Sequence, residues 1–166
     1  GERASVKLGG AFHGVNDEWR VSGTAALRSE DNRFDLVGNI TMRDSGDIEL
    51  GSGLALPADD RNLSSLFKST FRPNDDLTFS ASWIRFGGES VDPNNPQGGN
   101  VAGAGNSEVD RNIDSNTVQG ALNYAPAGSN LINANLVGYF TSNIVEESEI
   151  GASRIVSRRF RFLQRC

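Results

Sequence analysis

One feature limits what this chain can fold into more than any other: charge is placed with a period of two. Seven runs alternate along the chain, and in each of them one of the two alternating sets of positions carries no charge. The uncharged rows are Ala4, Val6, Leu8, Gly10, Phe12; Trp19, Val21, Gly23, Ala25, Leu27; and Phe34, Leu36, Gly38, Ile40, Met42. They continue as Leu63, Ser65, Phe67, Ser69, Phe71; Leu77, Phe79, Ala81, Trp83; Val118, Gly120, Leu122, Tyr124; and Ile132, Ala134, Leu136, Gly138, Phe140. The intervening positions hold Lys7, His13, Arg20, Arg28, Asp35, Asn39, Arg43, Lys68, Arg72, Asn116, Gln119, Asn123 and Asn135. Successive side chains of a strand leave opposite faces of its sheet, so the rows predict antiparallel strands with one uncharged and one polar face.

Alternation alone does not separate a water-soluble β-sandwich, or a secreted carbohydrate-binding module, from a wall that faces lipid. The aromatic positions discriminate. Phe12, Trp19, Phe34, Phe71, Trp83, Tyr124 and Phe140 fall at the ends of the uncharged rows, whereas the middles are largely Val, Leu, Ala and Gly. A packed core places bulk in its middle; a barrel in lipid has aromatic girdles on either side of an apolar band. The sandwich therefore ranks last.

The connections supply an orientation. Short "SEDNR", "RPNDD" and "APAGSN" alternate with "DSGDIELGSGLALPADDRN", "GGESVDPNNPQGGNVAGAGNSEVDRN" and the segment after Ser142, and only "GVNDE" is short on the other side, which a first hairpin tolerates. Outer-membrane barrels have short periplasmic turns and longer outside loops. On that rule Phe12, Trp19, Trp83 and Phe140 make the outer girdle, and Phe34, Phe71 and Tyr124 the inner one.

The bulk properties remove several functions. A net charge of −5 argues against a nucleic-acid surface, which needs clustered Lys and Arg in excess. One cysteine, Cys166, and one histidine, His13, cannot build a disulfide framework or a Cys/His metal cluster within the chain. No apolar run approaches the roughly 18 residues of a spanning helix. The opening "GERASVKLGG" lacks the apolar core of a signal peptide, so an exported chain is expected to be a mature form or a fragment. Its 166 residues suit one domain, residues 1–166.

Few residues suggest chemistry. His13, on the polar side at the end of the first run, is the candidate for contacting a ligand such as haem, against the plainer reading of a solvated histidine. Asp44, Asp47, Glu49, Asp59 and Asp60 share one loop, but their spacing lacks the Gly and terminal Glu of a Ca²⁺ loop and reads as a solvated segment. The glycines of "GGNVAGAGN", Gly98 to Asn106, do not open a helix after a strand and read as flexible loop. A basic end, Arg154, Arg158, Arg159, Arg161 and Arg165, could line a lumen or select an anionic substrate. With a single histidine no Ser/His/Asp or Cys/His constellation can be assembled, so no catalytic residue and no metal ligand is expected and the chain is read as a non-enzyme.

Three stretches resemble the TonB-dependent outer-membrane receptors, in particular the haem/haemoglobin (haemoglobin/transferrin/lactoferrin) receptor branch. "ASVKLGGAFHGVNDEWRVSGTAALR" resembles a first barrel hairpin, and "RFDLVGNITMRDSGDIELGSG" the next strand with its outside loop. "DRNIDSNTVQGALNYAPAGSNLINANLVGYFTSNIVEES" resembles a later hairpin of the same branch, with its Asn-Tyr before the turn. The likeness runs to about Glu149. It implies an all-β, antiparallel up-and-down transmembrane β-barrel segment of about eight strands, part of a plugged barrel of about 22 strands in the bacterial outer membrane. By the same resemblance the partners are membrane lipid, the rest of the barrel, a plug domain, TonB reached through an N-terminal region outside this chain, and haem or a haem-carrier protein as ligand. Haem or an iron chelate would be cargo, not a cofactor held by this chain.

The family's haem-binding histidine lies beside an Asn-Pro-Asn-Leu motif that is not in this chain, and "VDPNNPQ" differs from it, so no haem ligand is carried over. The final "RIVSRRFRFLQRC" loses clean alternation, as the end of a truncated or frameshifted frame would. A self-sufficient eight-stranded outer-membrane barrel with a structural or adhesive role is the alternative, since eight strands can close around an interior filled by side chains.

Overall fold

The computed structural model describes residues 3–49, 51, 53, 55–56, 58–93, 108–128, 132–151 and 154–165. Within that range 55–56, 93, 150–151, 154–159 and 161–165 are described by their backbone alone. Cys166 and the glycines of the Gly98–Asn106 stretch lie outside it.

The alternating runs form strands in chain order: β1 (Ala4–His13), β2 (Glu18–Arg28), β3 (Phe34–Ser45), then a two-residue hairpin of β4 (Ile48–Glu49) and β5 (Ala55–Leu56). β6 (Asp60–Asn74), β7 (Leu77–Pro93), β8 (Glu108–Tyr124), β9 (Ala134–Gly151) and β10 (Arg154–Arg165) follow. Every long strand pairs antiparallel with its neighbour in sequence, giving one eight-stranded sheet of order β1-β2-β3-β6-β7-β8-β9-β10. The sheet is open, with β1 and β10 as its edges. No helix interrupts the described residues.

Turn chemistry explains the short connections. Asp17 and Asn32 take positive φ, 49° and 57°, which Asn and Asp tolerate in tight turns. In the β2–β3 turn the Ser29 hydroxyl donates to Asp31 at 2.6 Å and accepts from the Phe34 N–H at 2.9 Å. The β6–β7 turn needs only Asp75 and Asp76 between the strands. Register slips in β6 between Phe71 and Asn74, where Pro73 has no N–H to give the ladder.

Register aligns the uncharged rows. Val6 faces Ala25, Ala25 faces Gly38, Gly38 faces Phe67, Phe67 faces Trp83 and Trp83 faces Val118. In the central strands the burial of the two faces is the reverse of a water-soluble sheet, whereas most of β1 and the turn half of β9 are exposed on both faces. In β3, Phe34, Leu36, Ile40 and Met42 are exposed, while Asp35, Val37, Asn39, Thr41 and Arg43 between them are half-buried. Leu8 is 86% exposed, and among the described residues no hydrophobic side chain is buried. Among the described residues only Ser45, at 4%, is buried.

The aromatic positions drift across the register. The line of paired residues starting at Trp19 runs through Asp44, Arg61, Glu89 and Asn112 to Glu146 in β9, six residues loopward of Phe140. From Phe34 the line runs through Phe71, Phe79 and Leu122, two residues loopward of Tyr124. The outer set thus drops turnward by six residues between β2 and β7 and is level from β1 to β2 and from β7 to β9. The inner set is level from β3 to β6 and drops by two at β8, so a level apolar band requires strands tilted to it.

Several expectations need correcting. Asn116 pairs with Arg85 and Ser142, in the same set of rows as Val118, so it belongs to the outward face and not the polar one. β7 runs to Pro93 and β8 starts at Glu108, which shortens the expected connection Gly87–Asn112 to residues 94–107. The segment after Ser142 is not a long loop: β9 continues to Gly151 and β10 starts at Arg154. Ile132 precedes β9. Beyond the apolar rows both faces turn polar, so the period of two fades while backbone pairing continues.

Candidate functional site

The polar face has two charged regions, one at each end of the strands. At the loop end, Arg43 in β3 donates from Nη1 to Asp60 of β6 at 2.7 Å and from Nη2 to Glu18 of β2 at 2.9 Å. Arg111 in β8 repeats this, donating to Asp92 of β7 at 3.3 Å and to Glu147 of β9 at 2.9 Å. Each arginine therefore ties three neighbouring strands through two carboxylates. A guanidinium suits this because its donors form a planar fork that can serve two acceptors.

A depression of about 470 Å³ opens at the same end, mainly on the outward side, where Asp44, Arg61, Glu89, Asp110 and Glu146 line it; Asp60 and Arg111 belong to the polar face. The loop acids named from the sequence are divided among separate partners. Asp44 pairs with Arg61 at 2.7 Å, Asp60 with Arg43, and Asp47 accepts from the Ala58 N–H at 3.2 Å. Among the described residues no group of three or more His, Cys, Asp or Glu is arranged to hold a metal ion.

His13 ends β1 on the polar face, exposed and opposite Glu18 in the ladder. It is therefore beside the Glu18–Arg43 pair and not enclosed by other ligand-bearing side chains. Of the C-terminal arginines only the backbone is described; Arg158 and Arg159 are opposite Glu147 and Glu146 in the β9–β10 ladder. Phe160, opposite Val145, falls on the polar face and is exposed.

At the turn end, Asp35 accepts from Arg28 Nε and Arg72 Nη1, both at 2.6 Å. A depression of about 510 Å³ lies there, with Lys68 and Arg3 also on its wall. Between the two ends the face is knit by side-chain bonds across strands, including Asn39 to Thr24 at 2.7 Å and Thr117 with Thr141 at 3.0 Å. The arginine bridges were not foreseen from the sequence. Their signal was present as Arg and acid at matching polar positions of adjacent runs, but it becomes readable only once the register is known.

On the outward face charge begins where the apolar rows end. Asp44 with Arg61, and Arg85 with Asp114 at 3.4 Å, lie loopward of Met42, Leu63, Trp83 and Val118 on the same side. The geometry therefore defines an all-β class of protein: one open antiparallel meander whose apolar rows are bare and whose polar face carries the arginine bridges between strands. The sequence matches no family model and no curated protein.

Proposed function

We propose that the chain is part of the wall of an outer-membrane, TonB-dependent transporter for haem or an iron carrier, with lipid against the uncharged face and a polar lumen on the other. The observation that carries this reading is the inverted exposure of the two faces in the central strands: in β3 and β7 the apolar row outside is bare and the polar row inside is half-buried. In water such a sheet would leave a large apolar surface without cover; in lipid that surface is solvated.

Three further features support it. From Phe34 to Met42 the apolar row covers about 26 Å at ~3.3 Å per residue, or about 20 Å across a wall tilted by ~40°, near the ~25 Å band of lipid-spanning barrels. The six-residue turnward drop of the outer aromatic set between β2 and β7 is a stagger of the kind such a tilt demands. Charge on the outward face begins only loopward of the band.

The transport part of the reading rests on the resemblance to TonB-dependent receptors; the open edges at β1 and β10 suit a wall that continues into further strands. Translating the DNA on both sides of the reading frame tests it. A plug domain upstream and more alternating strands downstream, together with loss of growth on haem as sole iron source when the whole frame is deleted, are the expected results. A signal peptide abutting Gly1 and a natural stop after Cys166 would instead give the stand-alone eight-stranded barrel and remove the transport role.

A further inference from the structure

The polar face carries its charge unevenly along the strands. Although the chain's net charge is −5, the turn-end depression has Arg3, Arg28, Lys68 and Arg72 on its wall and Asp35 as its single carboxylate. At the loop end the same face has the opposite balance, the four carboxylates of Glu18, Asp60, Asp92 and Glu147 around Arg43 and Arg111.

Asp35 fixes the geometry of the basic end. It binds Arg28 through Nε and Arg72 through Nη1, and Arg72 Nη1 also donates to the Asn32 carbonyl at 3.2 Å. Both Nη groups of Arg28, and Nε and Nη2 of Arg72, are not used in these bonds. Lys68 sits on the same face, exposed, in register with Val37, and makes no ion pair among the described residues. Two pre-positioned guanidinium forks and a free ammonium thus surround one depression, floored by Ala26 and Val37. Parallel N–H donors of a guanidinium match a carboxylate bidentately, and a fork held in place beforehand loses little freedom on binding.

We propose that this depression docks an acidic stretch of polypeptide, with one Asp or Glu carboxylate received by Arg28, Arg72 and Lys68. Two features select a peptide carboxylate over phosphate. Asp35 already stands at the centre and repels a dianion more strongly than a monoanion. The Ala26 and Val37 floor accepts the methylene stem of an acidic side chain, which phosphate lacks. The proposal goes beyond the transport reading, because it requires only that the polar face be accessible, whatever the outward face touches.

The test uses the full chain in detergent micelles, its strand content checked by far-ultraviolet circular dichroism, titrated with a fluorescent peptide of alternating Glu and Ser. The expected result is saturable binding that Lys68→Gln weakens about tenfold, the loss of one charge-assisted hydrogen bond. Lys68→Arg restores it, and Arg20→Gln, at the loop end of β2 on the same face, leaves it unchanged. Equal weakening by Lys68→Gln and Arg20→Gln would mean diffuse attraction to the chain and would overturn the site. Absence of binding by the folded chain overturns it as well. Inorganic phosphate that displaces the peptide at equal or lower concentration overturns the choice of occupant.

Discussion

Phe67 in β6 and Trp83 in β7 stack across the outward face, their ring centroids 5.6 Å apart and their planes 14° from parallel. They are direct partners in the ladder, and the space on the other side of Phe67 is given by Gly38, where a Cβ would approach the ring to 3.2 Å. The sequence feature, a glycine opposite an aromatic, thus produces the local packing. Phe67→Ala and Trp83→Ala are expected to be non-additive, with a coupling of about 0.5–1.5 kcal/mol in a double-mutant cycle measured by unfolding from micelles or bilayers. Additive losses would show that the stack contributes no more than area.

Ala81 and Ser80 are adjacent in β7 but belong to opposite faces: Ala81 lies between Ser69 and Gly120 on the outward side, Ser80 between Thr70 and Ala121 on the polar side. Ala81→Arg places a charge midway along the apolar band and should cost about 2–4 kcal/mol in a bilayer, whereas Ser80→Arg should cost little. The pair is compared by urea titration of the chain reconstituted in lipid vesicles. Equal costs would remove the lipid assignment while leaving the sheet intact.

Much of the sheet was legible in the sequence because a one-residue slip would exchange the faces of a whole strand, so Val21, Ile40 and Leu122 fix which side of each strand is outward. The strand ends were not. From Glu89 to Pro93 and from Glu108 to Asp114 both faces carry polar residues, and a periodicity test has nothing to count there although the β7–β8 ladder continues. The charge bridges were hidden for a different reason. Arg111 and Glu147 are 36 residues apart in the chain, and only the complete β8–β9 register makes them neighbours.

Asp31, in the turn between β2 and β3, gives the pH prediction. Its carboxylate accepts the Ser29 hydroxyl and, at 3.1 Å, the Arg33 N–H, and these bonds hold its pKa below the ordinary 3.8. A depressed folded-state pKa means that the contribution to stability is fully present above the unfolded value and is lost as pH falls through the folded one. The Arg33 and Phe34 amide resonances should therefore be constant at neutral pH and shift only under acid conditions, below the usual carboxylate range. Ser29→Ala should raise the Asp31 midpoint toward its ordinary value in a carboxylate titration followed by nuclear magnetic resonance. An unchanged midpoint would remove the hydroxyl as the cause.

Arg43 makes the most demanding bridge, since its two Nη groups join β2, β3 and β6 through Glu18 and Asp60. Its side chain is 31% exposed, so the pairing is worth less than a buried one and more than a loose surface contact. Arg43→Leu should cost about 1–2 kcal/mol, because it leaves two neighbouring carboxylates without their shared cation. Arg43→Lys should recover only part of this, as one ammonium cannot reproduce the two-sided fork. Combining Arg43→Leu with Glu18→Gln and Asp60→Asn removes the stranded charges and should restore stability relative to the single change. If the triple variant is no more stable than Arg43→Leu alone, the residue acts through packing of its stem and not through the two carboxylates.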